Sequence, residues 1–424
     1  MTTTTAQDLR RRFLLLTAFR WLPAGLLTPV VILLPLERGL TLGQLGLAAA
    51  AQGFVVLALE LPTGGLADTL GRKVVLMGSA LISIGSIGLF LVAGSFAAFL
   101  VFFALQGVYR ALDSGPLEAW YVDASLAAEP NAEIERGLSG AGVVLGLSIA
   151  GGALAGGGLV AWDPMDGVDA LALPVVLSLV LKVVGLLGIA VLMTEVRSSK
   201  GWRAAGRAAR QAPAAIAGGL RLLRDSRVLL GIVAVELFWG FGMVTFESLT
   251  PVRLAEIVGE ANRAAAIIGP SASAAWLVSA AGAAVVPWWG RRLGIAPAAA
   301  LFRVLQGIAV VGIGFFGGVL GIIVAYLAAY LVHGASNPAH MTLLHRQVDG
   351  PLRATVVSLN SMISQPAGAL GAVALTAVAE AASVSVAFYV GAAVLALAAP
   401  LYLPAWRQEQ ERGGAGLAPS PEKS

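Results

Sequence analysis

Residues 64–73 read Gly64-Gly65-Leu66-Ala67-Asp68-Thr69-Leu70-Gly71-Arg72-Lys73. Apolar runs flank them at 42–66 and 74–93. Each run is long enough to cross a bilayer, which takes about 20 apolar residues. One acid, two bases and three glycines between two such runs make a tight charged hairpin at the membrane surface. The glycines permit turns and close helix approaches that a side chain blocks. Arg72 and Lys73 suit an interface where bases meet anionic headgroups, and membrane topology alone accounts for them. Topology does not account for Asp68, held at fixed spacing between the glycines.

The whole chain repeats this apolar character. Its 424 residues are 58% hydrophobic and 12% charged, with a mean hydropathy of +0.83. Soluble domains carry about 25% charged residues, so the composition describes a polytopic membrane protein. Absence of cysteine excludes disulfides, thiolate nucleophiles and Cys-ligated metals. Three histidines give no metal constellation, and no Gly-x-x-x-x-Gly-Lys-Ser/Thr loop is present to bind ATP. The start of the chain, Arg10-Arg11-Arg12 before an apolar run, has the outline of a signal peptide. Arg20 and Pro23 interrupt that run and no small-residue cleavage site follows, so it reads as a first membrane helix.

Hydropathy places twelve spans, at 13–36, 43–66, 74–94, 96–122, 136–161, 171–193, 228–250, 264–289, 296–316, 318–341, 353–378 and 385–405. The basic stretch 195–227 breaks the series and reads as a linker lying on the membrane surface. The expected units are an N-terminal bundle at 1–194, the linker at 195–227, a C-terminal bundle at 228–406 and a polar tail at 407–424. Nearly all bases fall on segments that share a side with the N-terminus; the opposite side carries only Arg38, Arg253 and Arg263. Positive-inside bias then puts both termini in the cytoplasm of a multi-pass cell-membrane protein. A net charge of +4 is thereby explained without nucleic acid. A weak internal repeat aligns Gly71 with Gly290 and the following bases with Arg291 and Arg292, with Pro287 where Asp68 stands.

Charge inside a membrane is costly, which makes each intramembrane ionisable group a functional candidate. These are Arg20, Glu60, Arg110, Asp113, Glu118, Lys182, Glu236, Glu247, Arg303, His333 and His340. Glu247 and His340 lie near span ends and are expected to reach water. Arg303 is expected to snorkel. Lys182 either snorkels or pairs within its own half. The fourth span carries the densest cluster. Arg110, Ser114, Leu117, Glu118 and Tyr121 share a helical face, Asp113 is placed to pair with Arg110, and Gly115-Pro116 predicts a kink. Either these charges lock the fourth span to the first two through Arg20 and Glu60, or a surplus carboxyl carries a proton. Asp113, Glu118 and Glu236 are the candidates for the latter.

The pattern Gly-x-x-x-Asp-x-x-Gly-Arg-Lys between the second and third runs, with the twelve spans and the basic central linker, resembles the Major Facilitator Superfamily over nearly the whole chain. Its drug/proton antiporters are the most similar members. The glycine run from Gly151 to Gly158 lacks the Gly-Pro pair of those antiporters. Their Arg-x-x-Gln-Gly is intact only at Arg303–Gly307, on the ninth span. The resemblance implies an all-α fold, two six-helix bundles around a central cleft, with no cofactor. It implies a cytoplasmic latch of Gly64, Asp68, Gly71, Arg72, Lys73 and Asp123. In it Asp68 faces the N-terminus of the eleventh span and Arg72 pairs with Asp123. The implied activity is alternating-access transport of a small molecule by a monomer whose partners are protons and lipids, most like export of an amphipathic drug or natural product. The alternative is proton-linked uptake of a sugar or other nutrient. Trp21, Gln106, Ser114, Phe238, Trp239, Phe241, His333 and Asn337 are the expected cleft residues. A lipid-acting membrane enzyme and a non-transporting receptor are the readings from other classes.

Overall fold

The computed structural model describes residues 5–64, 66–194, 221–348 and 350–415. Among these residues every regular element is a helix. The first half contains α1 (Ala6–Leu27), α2 (Leu33–Glu37), α3 (Leu42–Gly64), α4 (Leu66–Leu70), α5 (Arg72–Val92), α6 (Phe96–Asp113), α7 (Pro116–Ala128), α8 (Ile134–Trp162) and α9 (Leu173–Leu192). The second contains α10 (Arg227–Val244), α11 (Thr250–Val258), α12 (Ala261–Leu293), α13 (Ile295–Phe315), α14 (Val319–His345), α15 (Gly350–Ala381), α16 (Val384–Leu397) and α17 (Leu403–Ala415). Eleven helical stretches are long and apolar enough to cross a membrane. The first span, α1 with α2, is the more charged twelfth. Most of the basic linker, 195–220, lies outside the described residues.

Local chemistry explains where helices begin and break. Thr5 and Asp8 form a reciprocal capping box, so α1 starts before the apolar run does. Ser95, Ser226 and Ser383 cap α6, α10 and α16 through backbone N–H groups three residues on. The first span is two helices rather than the single run expected over 13–36. Pro29 has no N–H to return to Gly25, and Thr28 makes the tighter bond to Gly25 instead. The expected kink in the fourth span is a full break. Gly115 takes φ +93°, and Pro116 restarts the chain as α7. The seventh span is interrupted by a π-helical turn, Thr245–Leu249. The expected polar tail is partly built into the fold: Glu409 on α17 accepts from the Ala296 N–H at the start of α13 (3.0 Å) and pairs with Arg346 (2.9 Å).

Helices of the first half pack chiefly on one another, as do those of the second. The halves meet along α3 against α15 and α8 against α12. Glycine makes both kinds of contact close. A Cβ on Gly152 would lie 2.5 Å from the Leu22 carbonyl of α1, and one on Gly157 would lie 2.8 Å from Gly269 Cα of α12. The run Gly151–Gly158 thus serves two neighbours at once, as expected for helices packed without a hydrophobic driving force.

Adding a methyl at Gly152 forces α1 and α8 apart, an overpacking cost of about 1–3 kcal/mol. Gly152→Ala should lower the melting temperature of the purified protein. Gly151→Ala, whose Cβ meets nothing within 4 Å, should leave it nearly unchanged.

Candidate functional site

The break between α6 and α7 gathers two carboxylates on one base. Arg20 of α1 binds Asp113 through Nε at 2.5 Å and Glu118 through Nη1 at 2.9 Å. Its Nη2 donates to the Asp113 carbonyl (2.9 Å), which the helix break leaves free. Asp113 therefore pairs across helices with Arg20 and not along its own helix with exposed Arg110. The face expected to join Arg110, Ser114, Leu117, Glu118 and Tyr121 does not exist as one helix, because Gly115 redirects the chain. Lys182 of α9 does not snorkel: it is buried, donates to the Tyr109 hydroxyl at 2.8 Å and approaches the Arg20 carbonyl at 3.4 Å. A cavity of about 40 Å³ lies beside this group, lined by Ser79, Arg20, Tyr109, Asp113 and Lys182 among apolar residues. Glu60 stands apart from the ion pairs. Its Oε2 is buried and without a hydrogen bond among the described residues.

A second polar cluster lies inside the other half. His340 is 1% exposed, so it does not reach water. Its Nε2 sits 3.2 Å from Glu236 Oε1 and 3.0 Å from Asn360 Oδ1, and its Nδ1 lies 2.8 Å from the Tyr402 hydroxyl. Two acceptors at Nε2 require a proton there, which leaves Nδ1 to accept from Tyr402 in the neutral ring. Arg303 is 2% exposed and donates to Gln306 at 3.1 Å, so it is not a snorkelling residue either. The reason is common to both. Partners converge from α10, α13, α14, α15 and the turn at Tyr402, and burial with hydrogen bonds replaces contact with water.

Between the halves lies a cavity of about 320 Å³. Its walls include Thr28 just after α1, Gln52 of α3, Phe102, Phe103 and Gln106 of α6, Trp276 of α12, Tyr326 and Tyr330 of α14, and Glu247 of the π-helical turn. Glu247 is exposed, as expected, and the surface it presents from the wide turn lines this cavity. Of the expected cleft residues only Gln106 lines this cavity. His333 stacks on Trp239 at 5.6 Å behind Tyr330, Trp21 packs against the Arg20 guanidinium, and Phe238 joins the core of the second half. Phe241 packs on the main core, Ser114 is in the helix break, and Asn337 is exposed on α14. Aromatic type and span number suggested these positions, but rotation about the helix axis decides the lining.

At the hairpin, Gly71 takes φ +99° just before α5, a conformation that favours glycine. Arg72 pairs with Asp123 at 2.6 Å. Lys73 donates to the carbonyls of Ala190 and Met193 at the end of α9. The side chains of Asp68 and Arg353 lie outside the described residues. At the opposite end of the same helix pair, Glu380 of α15 accepts from the Gly43 N–H (2.6 Å) and the Thr41 hydroxyl (3.1 Å) at the start of α3. Among the described residues these are the hydrogen bonds that cross between the halves. Glu380 carries no sequence mark beyond its place at the end of an apolar run.

A family model for the Major Facilitator Superfamily matches residues 13–372. The chain belongs to the Major Facilitator Superfamily. That makes this superfamily member a secondary transporter of a small molecule and not an enzyme. The solved nucleoside transporter NupG superposes with a TM-score of 0.76 at 12% identity, covering 94% of this chain and 99% of its own. A bacterial homolog of the human lysosomal transporter Spinster, inward-facing and occupied, gives 0.73 at 14% identity over 99% and 100%. A proton-dependent oligopeptide transporter gives 0.71 at 12% over 96% and 100%. At such identities these likenesses speak for the fold alone. No curated protein matches the sequence.

Two outcomes follow for the transporter. Asp113→Asn leaves Arg20 with half its charge partners in a largely buried site, so denaturation of the purified variant should show a loss of about 3 kcal/mol. The chain has no cysteine, so a single cysteine at Thr28 in the cavity can report access. Glu380→Gln should raise its rate of labelling by an impermeant thiol reagent added on the side of Glu380. An unchanged rate would mean that Glu380 does not hold that end shut.

Proposed function

We propose that the protein exports an amphipathic compound in exchange for protons by alternating access. The observation that carries this is the aromatic-walled cavity between the halves, which also meet through the Glu380 and glycine contacts. Residues 1–194 and 228–406 act as two bundles that rock about the cavity. The protein works as a monomer in the cell membrane with both termini cytoplasmic. When the Glu380 end opens, the hairpin end closes. Asp68 then sits at the N-terminus of α15, where an anion is favoured, and the Arg72–Asp123 pair braces the hairpin. The proton rides on Glu236 in preference to Asp113 or Glu118. Those two share the permanent charge of Arg20, whereas Glu236 contacts an imidazole that can itself change protonation state. Uptake of a sugar or other nutrient is the second reading, supported by the neutral amides of Gln52 and Gln106 in the cavity.

Growth-inhibition panels on expressing cells identify a transported compound. In vesicles with an imposed pH gradient, Glu236→Gln should abolish its accumulation and retain exchange, while Asp113→Asn and Glu118→Gln retain both in part. If all three variants concentrate substrate normally, the coupling acid is elsewhere. Asp68→Asn should slow transport without lowering the amount of folded protein. Arg72→Asp should slow it as well, and adding Asp123→Arg should restore part of the rate.

A further inference from the structure

The transported compound's charge can be read from the cavity. We propose that Glu247 is the charged anchor of the cavity and that its ligand is an organic cation with an aromatic body. This deepens the proposed function and rests on the cavity being the transport site.

Glu247 is the one charged residue among the cavity's lining residues, and among the described residues it has no hydrogen bond and no ion pair. Glu247 is exposed to the cavity, so a ligand that fills the cavity displaces its water, and a cation compensates for that loss. A neutral ligand leaves the carboxylate unpaired, and an anion is repelled by it. The surrounding walls suit the same ligand. Phe102, Phe103, Trp276, Tyr326 and Tyr330 present ring surface, which attracts cations as well as apolar groups. Gln106 donates one amide N–H to the Ser86 hydroxyl at 3.0 Å, which leaves its carbonyl oxygen free to accept. The volume, about 320 Å³, lies within the range of small-molecule sites, roughly 300–1,000 Å³.

The π-helical turn is what makes the anchor. Five residues, Thr245–Leu249, leave the α-helical register between α10 and α11. On this wide turn Glu247 faces the cavity while Phe246 and Leu249 stay fully in the core. Such turns concentrate at functional positions. The other charged or titratable groups near Glu247 are Arg110 of α6, one turn beyond Gln106, and Tyr326, Tyr330 and His333 of α14. Arg110 acts on Glu247 through its field but makes no ion pair with it. A proton on Glu247 removes the anchor's charge, so cation and proton exclude one another at this carboxyl.

The test uses the purified full-length protein and two ions of one shape and opposite charge, tetraphenylphosphonium and tetraphenylborate. The wild-type protein should bind the cation at least ~10-fold more tightly than the anion. Glu247→Gln should weaken cation binding by ~10-fold or more and narrow the difference between the two ions. Glu247→Asp, which keeps the charge, should retain most of the affinity. Equal binding of both ions by the wild type, binding of neither, or an unaltered cation affinity in Glu247→Gln overturns the assignment. Vesicle accumulation separates this result from the transport reading. A protein that concentrates another compound but ignores the cation refutes the cation assignment alone. One that binds the cation through Glu247 yet moves nothing refutes the transport reading alone.

Discussion

Every polar group inside this protein answers to one constraint: lipid offers it no partner. Arg20 shows the consequence most directly. It is bound by Asp113, Glu118 and the Asp113 carbonyl at once, and the second carboxylate is in reach only because the chain breaks at Gly115. The same constraint gathers Glu236, His340, Asn360 and Tyr402 inside the other half. These clusters tie helices together within a half. Among the described residues they leave the surface between the halves almost free of hydrogen bonds.

A surface of that kind can separate. Where α3 meets α15 and α8 meets α12, glycine and alanine make the contact, so shape rather than charge holds the halves together. Dispersion contacts of this sort are individually weak, and losing them strands no buried charge. The Glu380 carboxylate at the start of α3 is the exception. It lies at the protein edge, where water can replace its partners when the contact parts. A seam of small residues between the halves suits alternating exposure of a central cavity.

The two ends of the α3–α15 pair also invite comparison. At one end the acid of the hairpin belongs to α4, just after α3; at the other, Glu380 belongs to α15 and caps α3. Glu380 is thus placed at a helix N-terminus of the opposite half, where the helix dipole favours negative charge.

Hydropathy, glycine spacing and the placement of bases determined the membrane class, the order of spans and the hairpin, because each depends on short stretches of chain meeting a uniform solvent. That the chain bends at Gly115-Pro116 was legible for the same reason, though not that the bend is a full break: φ preference and a missing N–H are local facts. What local sequence could not decide was rotation and partnership. Asp113 stands three residues from Arg110 and pairs instead with Arg20, 93 positions away. Arg303 and His340 look like residues that reach water until convergent helices cover them. Glu247 sits near a span end in the sequence and faces the cavity in the fold, because one π-helical turn changes the register. The tertiary structure alone decides these cases. A charge in lipid takes whichever partner packing brings closest, and packing is a property of all the helices together.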